Sequence, residues 1–201
     1  MINVSKVLCD ANIWINVCYG NVINKYIEKY KEIHFADKVV NEMAKVKDVQ
    51  GMDRPYQEYC KRNGSEVRTI YFERLEVNLQ QIIKSQMLTF GFWELDNKSK
   101  KIKNLGEYMS LMYAYHLNIP YVHSYDNEFQ DNVSIGEVFK KFKGIEIISW
   151  ATVLDIITDE NLSEKIRIDN LVMQQNKINK KKKKEKLDLE KLKNHYSSRR
   201  L

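Results

Sequence analysis

The sequence predicts an α/β fold: a three-layer α/β/α sandwich with a central, mainly parallel sheet, followed by a basic C-terminal extension. Three observations predict it. Short apolar runs ("VLC", "EIHFA", "YVHSYD", "IEIISW") alternate with helix-length segments of ten or more residues, the alternation that strand–helix–strand crossovers produce. The first run, Val7, Leu8 and Cys9, is apolar without interruption, as suits a strand covered on both faces. The charge balance also changes near residue 160. Residues 161–201 carry 13 Lys and Arg against 5 Asp and Glu, whereas residues 1–160 carry 20 against 22. The expected division is therefore a domain over 1–160 and a lysine-rich tail, helical or disordered, over 161–201.

Each element follows from its pattern. After the first strand, "ANIWINVCYGNVINKYIEKY" has apolar residues at helical intervals broken near Gly20, which predicts two short helices. "EIHFA" is a second strand. "DKVVNEMAKV" is a helix with Asp37 as its N-cap. From Arg54 to Gln86 the pattern is mostly helical, with "EVRTIYF" open to a strand. "MLTFGFWEL" reads as a strand or a loop over the core, and "NKSKKIKNLG" as a basic connector. "LGEYMSLMYAYHLN" is a strong helix with Leu105, Met109, Met112 and Tyr113 along one side, and Pro120 forbids its continuation. "YVHSYD" is the next strand, "IGEVFKKFKG" a helix closed by Gly144, "IEIISW" the last strand and "ATVLDIIT" the closing helix.

Composition narrows the function classes. A chain of 201 residues with 43% hydrophobic content supports a real core. No apolar stretch approaches the length that crosses a bilayer, so no membrane partner is expected. The start, "MINVSKVLCDANIW", has no basic segment followed by a long apolar run. Cys9, Cys18 and Cys60 are odd in number and scattered, which points to reduced thiols in the cytoplasm and to no zinc spacing. His34, His116, His123 and His195 are equally scattered. A glycine-rich phosphate cradle is missing.

What stands out is acidic. Asp10 and Asp126 end strands, and Glu42 and Glu107 lie near the starts of helices. In a parallel sheet, strand ends and the starts of the following helices share one edge, so all four acids can converge. Carboxylates gathered without compensation raise one another's pKa values, and a divalent cation resolves that conflict. Oxygen-only ligands select Mg2+ or Mn2+ over zinc, and such ions activate water and offset charge on a phosphoryl group. Singly, each acid has an ordinary reading: Asp10 or Asn12 as a helix cap, Glu42 as a solvated helix residue, Glu107 as a first-turn acid favoured by the helix dipole, Asp126 as a turn former.

The segments also resemble the PIN-domain family of metal-dependent ribonucleases, which includes toxins of bacterial toxin–antitoxin systems. "VLCDANIWI" resembles the family's opening strand with Asp-x-Asn, "DKVVNEMAKV" the helix bearing its first glutamate, "LGEYMSLMYAYHLNIPYVHSYDNEF" the Gly-Glu helix, strand and terminal Ser-x-Asp, and "IEIISWATVLDII" the final strand and helix. The likeness spans roughly residues 3 to 158. It implies that Asp10, Glu42, Glu107 and Asp126 are catalytic, metal-binding acids. Asn12 and Ser124 would orient them or touch substrate, and Asp131 is a further acid nearby. It implies an Mg2+- or Mn2+-dependent endoribonuclease, an RNA substrate with DNA left open, an antitoxin partner and a homodimer. The 54–104 section and the lysine tail depart from the family's pattern.

Phosphate binding needs cations beside the acidic edge. The candidates are Arg54, Lys61, Arg62, Arg68 and the connector lysines Lys98, Lys100 and Lys101, with Tyr56, Tyr59, Phe92 and Trp93 as stacking partners for unpaired bases. Against these stands the ordinary reading of solvated lysines and core aromatics. A catalytically inactive PIN-like RNA-binding or scaffold protein is the alternative function. A haloacid-dehalogenase-like phosphatase wants an aspartate at position 12, where this chain has Asn12. A receiver domain wants a phosphoacceptor aspartate on a middle strand and a lysine ending a late one, and no such pair is evident.

Overall fold

Val7, Leu8 and Cys9 are fully buried in strand β1 (Lys6–Cys9), because β1 is the middle strand of a five-stranded sheet. The computed structural model describes residues 6–46, 53–93, 95, 105–124, 142 and 144–167. With β2 (Glu32–Ala36), β3 (Val67–Ile70), β4 (Tyr121–His123) and β5 (Glu146–Ile148), the strand order is β3-β2-β1-β4-β5. Every pairing is parallel, with Leu8 opposite His34 on one side and Val122 on the other. Parallel neighbours need crossovers. They are supplied by helices α1 (Ala11–Tyr19), α2 (Ile23–Lys29), α3 (Asp37–Val46), α4 (Asp53–Arg62), α5 (Val77–Thr89) and α6 (Leu105–His116), and α7 (Trp150–Ile157) follows β5. The result is the expected three-layer α/β/α sandwich.

Side-chain alternation sorts the two faces. Residues paired across parallel strands point the same way, so Cys9, Phe35 and His123 share one face and Leu8, His34 and Val122 the other. The first face is covered by α1, α2 and α4. Trp14 meets Phe35 edge-on at 5.4 Å, Phe35 meets Tyr59 at 5.6 Å, and Tyr26 and Tyr30 meet His123 at 5.7 and 4.6 Å. Trp14 Nε1 also donates to Pro55 O at 2.9 Å, tying α1 to α4. Helix α6 packs on β2 and β4 and against α3 and α5. It is buried nearly all round, from Tyr108 to Ala114, rather than along the single expected side, because it lies between the sheet and two other helices.

Several boundaries differ from expectation. Met87, Leu88 and Thr89 end α5 instead of opening a strand; Met87 is buried while Leu88 and Thr89 are exposed, the spacing of a helix rather than of a pleat. Trp150 begins α7 rather than closing β5, because Ser149 accepts from Thr152 N and caps the helix one residue earlier. Asp37 is the first residue of α3 rather than its cap. Helix α6 stops before Pro120 acts: Asn118 takes a left-handed φ of 52°, and Ile119 N donates to Ala114 O. The predicted helix over "IGEVFKKFKG" and the basic connector lie largely outside the described residues.

Contacts divide the chain into two compact units, Met1–Thr158 and Asp159–Leu201. Within the second, residues 160–167 are helical, with Leu162 N donating to Asp159 Oδ1 at the start. No helix among the described residues is long and apolar enough to cross a membrane.

Candidate active site

Strand order fixes where a site is to be sought. From β1 the chain steps outward to β2 and β3, then returns to place β4 on the other side of β1. The carboxyl ends of β1 and β4 therefore flank a topological switch point, where open α/β sheets form their binding crevices. Asp10 and Ser124 stand there, each one residue past the Cys9–His123 pair.

Asp10 stays in the ladder, its N–H donating to His123 O at 3.0 Å, and it keeps extended angles of −77° and 156°. Extended backbone preserves alternation, so Asp10 turns away from the face of Cys9. Its Oδ2 accepts from Asn12 N at 3.3 Å, so the residue does cap α1. The capping reading and the site reading are both satisfied by one carboxyl group. Asn12 contributes its backbone N–H while its side chain is exposed. Ser124 is buried, and its N–H donates to Ile148 O at 3.1 Å, extending the β4–β5 ladder.

Two further acids reach Asp10 from other elements. Burial, then the charge of Glu107 on α6, then that of Glu42 on α3 push the Asp10 carboxyl from its ordinary 3.8 up to about 7. Burial disfavours the ionised form, and like charges add to it. Helices α3 and α6 meet at the start of α6, where Glu42 Oε1 lies 3.3 Å from the point a side chain on Gly106 would occupy. Glu107 Oε2 is shut off from solvent. Two of the other predicted acids, Glu107 and Glu42, thus come within electrostatic reach of Asp10. The fourth, Asp126, lies outside the described residues, as do Asp131, Lys98, Lys100 and Lys101.

The donor set is chemically suited to a hard divalent cation, being all oxygen and mutually repelling. Among the described residues, no group of three or more His, Cys, Asp and Glu side chains converges tightly enough to hold a metal ion. The acids share a field rather than a closed coordination shell.

The basic candidates fare unevenly. Arg62 is engaged by two carboxylates, Glu58 at 3.3 Å and Glu66 at 2.9 Å, and Arg54 donates to Asn21 Oδ1 at 2.8 Å. Lys61 and Arg68 are exposed. Tyr59 and Phe92 belong to packed clusters, Phe92 lying 4.7 Å from Tyr108. Tyr56 lies beside Tyr59 at 6.0 Å. Trp93 is 83% exposed, so its ring is open to stacking.

Sequence reasoning missed a polar knot at the carboxyl end of β2. Asp37 is buried, accepts from Tyr113 OH of α6 at 3.0 Å and from Phe72 N at 3.5 Å, and pairs with the buried Lys38 ammonium at 3.5 Å. Burial raises its carboxyl, while Lys38 and Tyr113 oppose that rise. Asp37 reads locally as a helix start; nothing in its neighbourhood announces Tyr113, 76 residues away.

No family model matches the chain, and no curated protein does. Among solved structures it is similar to VapC20 of Mycobacterium tuberculosis, a toxin that cleaves the sarcin-ricin loop, at 10% identity. That match covers 63% of this chain and 95% of the other, with a TM-score of 0.42. A likeness this distant identifies no family and carries no argument about function.

Proposed function

We propose that the chain is an Mg2+- or Mn2+-dependent endoribonuclease of PIN type, acting at the carboxyl edge of its sheet as the toxin of a toxin–antitoxin pair. The observation that carries this reading is Asp10. It is a buried carboxyl group at the switch point, pushed up to about 7 by burial and by acids from two separate helices. Carboxylates assembled from three elements against their own repulsion are expected where a cation is to be held. The resemblance of the opening strand and the Gly-Glu helix to PIN domains supports the choice of RNA.

Asp10, Glu42 and Glu107 alone do not converge tightly enough to hold the ion, so it would be held by these acids only together with Asp126. When bound, such an ion lowers the pKa of a water and offsets charge on a phosphoryl group. The chain's own residues do the rest. The Asp10 N–H bond to His123 O and the Asn12 N–H bond to its Oδ2 hold the carboxyl group at the strand end. Ser124 stands beside it, within reach of the same crevice. Exposed Lys61 and Arg68, with the connector lysines, supply phosphate contacts, and Trp93 supplies a stacking face for an unpaired base. Free Cys9, Cys18 and Cys60 fit a reducing cytoplasm.

The test is cleavage of single-stranded RNA by the full chain with manganese, read on denaturing gels beside a DNA control. Asp10→Asn is expected to reduce cleavage by more than about a hundredfold, because losing even an outer partner of a metal site costs up to about that much. Intact RNA with the wild-type chain replaces this reading with the inactive RNA-binding or scaffold one, and cleavage indifferent to Asp10→Asn removes Asp10 and its acidic edge from the reaction.

A further inference from the structure

We propose that the outward face of α5 is a dimerisation surface, on which two copies of this chain pack their α5 helices antiparallel across a two-fold axis at Ser85. The inference stands apart from the metal-dependent reading above.

Helix α5 turns one side inward. Ile83 and Met87 are buried there, Gln80 Nε2 donates to Leu75 O at 2.8 Å, and Gln86 Oε1 meets His116 Nε2 of α6 at 2.7 Å. The opposite side carries Asn78, Gln81, Ile82, Ser85, Leu88 and Thr89, all exposed and set at the three- and four-residue intervals of one helix face. A solvated helix face is ordinarily charged. This one is not. Lys84 is the one charged residue of α5, in a chain of which 30% is charged, and its ammonium lies over the Phe72 ring at 5.5 Å. Val77, Ile82 and Leu88 are 67%, 48% and 44% exposed, three of the six large hydrophobics left exposed among the described residues. Hydrophobic side chains gathered on an uncharged face mark an interaction surface.

The pattern selects the partner. Counted outward from Ser85, the face reads alike in both directions: Ile82 and Leu88 stand three residues away, Gln81 and Thr89 four. In an antiparallel pair centred on Ser85, Ile82 therefore meets Leu88 of the second copy, and Gln81 meets its Thr89. Apolar falls on apolar and polar on polar. Ser85 is small, so the helices approach closely, and its hydroxyl is both donor and acceptor and pairs with its own copy. A charge at the axis of a two-fold contact would meet its own sign. Each copy carries a net charge of +6, so self-association needs a charge-free face, and α5 presents one. A nucleic acid or an acidic protein would call for cations, and these six positions hold none. One helix face from each copy lies at the small end of specific interfaces, so the dimer is expected to form at micromolar concentrations.

Sedimentation velocity of the full chain over a concentration series tests this, for wild type, Ser85→Glu, Ser85→Lys and an equimolar mixture of the two variants, with thermal unfolding in parallel. Position 85 is exposed and both new side chains favour helix, so neither variant is expected to unfold more readily. Wild type is expected to dimerise. Each variant alone is expected to weaken the dimer by more than about a hundredfold, because like charges set against each other across an interface are strongly disfavoured. The mixture is expected to recover the dimer, since opposite charges then meet at the axis. That recovery supports the proposal, and a folding defect cannot imitate it. A wild-type chain that stays monomeric into the tens of micromolar overturns the proposal and leaves the face to a different protein. A dimer that survives Ser85→Glu overturns this surface, and a dimer lost in both variants but not recovered in their mixture overturns the two-fold pairing.

Discussion

Cys9 and Asp10 are adjacent in the chain and face opposite sides of the sheet, and the two sides treat polar groups in opposite ways. On the Cys9 side, Tyr26, Tyr30, His123, Trp14 and Phe35 form one aromatic cluster, with Tyr26 OH and His123 Nδ1 sharing a buried 2.7 Å hydrogen bond. Burial keeps these groups neutral: it pulls His123 from 6.5 down to about 3 and raises the Cys9 thiol and Tyr26 phenol well above their ordinary values. On the Asp10 side, burial meets three carboxylates instead. One side stabilises the fold by packing; the other holds a repulsion that folding has to overcome. A single residue step along an extended strand separates them, which is how a rigid support comes to lie directly behind the acidic edge.

The comparison can be broken at its strongest point first. Trp14 is fully buried, with its indole N–H satisfied by Pro55 O, so Trp14→Ala is expected to lose about 3–5 kcal/mol of stability. Denaturant unfolding measures it, and a loss below about 1 kcal/mol would mean that the aromatic side is not the support described.

The acidic side makes the next largest prediction, with opposite sign. An acid whose folded pKa lies near 7 and whose ordinary value is 3.8 binds its proton more tightly when folded. Its contribution to stability therefore falls as pH rises from about 4 to about 7. Asp10→Asn abolishes that fall, so the metal-free variant is expected to exceed wild type by about 2–4 kcal/mol at pH 8 and to converge with it near pH 4. Added manganese is expected to stabilise wild type at pH 8 and to leave the variant unmoved. Parallel pH profiles for the two proteins would remove the repulsion from the account. His123 runs the other way: held neutral when folded, it withdraws stability as pH falls from about 6.5 to about 3. The difference profile between wild type and Asp10→Asn cancels that contribution.

The smallest effect sharpens the picture. Tyr26→Phe keeps the ring and removes the partner of His123 Nδ1, an expected loss of about 1–2 kcal/mol from a buried group left without its hydrogen bond. Manganese affinity should not change, because Tyr26 lies on the face that Asp10 turns away from.

Local pattern made much of the architecture legible. The apolar run of β1, the helical spacing on either side of Gly20 and the strand–helix alternation led to the parallel sheet, because a strand buried on both faces leaves a mark in its own residues. Asp10 and Glu107 were also legible, as carboxylates at a strand end and a helix start; Glu42 is the sixth of the ten residues of α3, in its middle rather than near its start. Other features had no local mark. Met87 to Thr89 carry side chains that suit either a strand or a helix end. Asp37 looks the same whether it caps its own helix or receives Tyr113 from α6. Arg62 reads as a free cation until Glu58 and Glu66 are seen to flank it one turn away on one side and one turn beyond the helix on the other.

The sequence by itself determined most of the elements, that they alternate into a sandwich, and that Asp10 follows a strand and Glu107 opens a helix. Those properties are written in spacing and side-chain type within a dozen residues. Tertiary structure alone decided that β4 returns beside β1, that Asp10 and Cys9 look into opposite environments, and that the Glu42 carboxylate lies where Gly106 lacks a side chain. Each of these depends on contacts between segments far apart in the chain, and distance between such segments is a property of packing rather than of pattern.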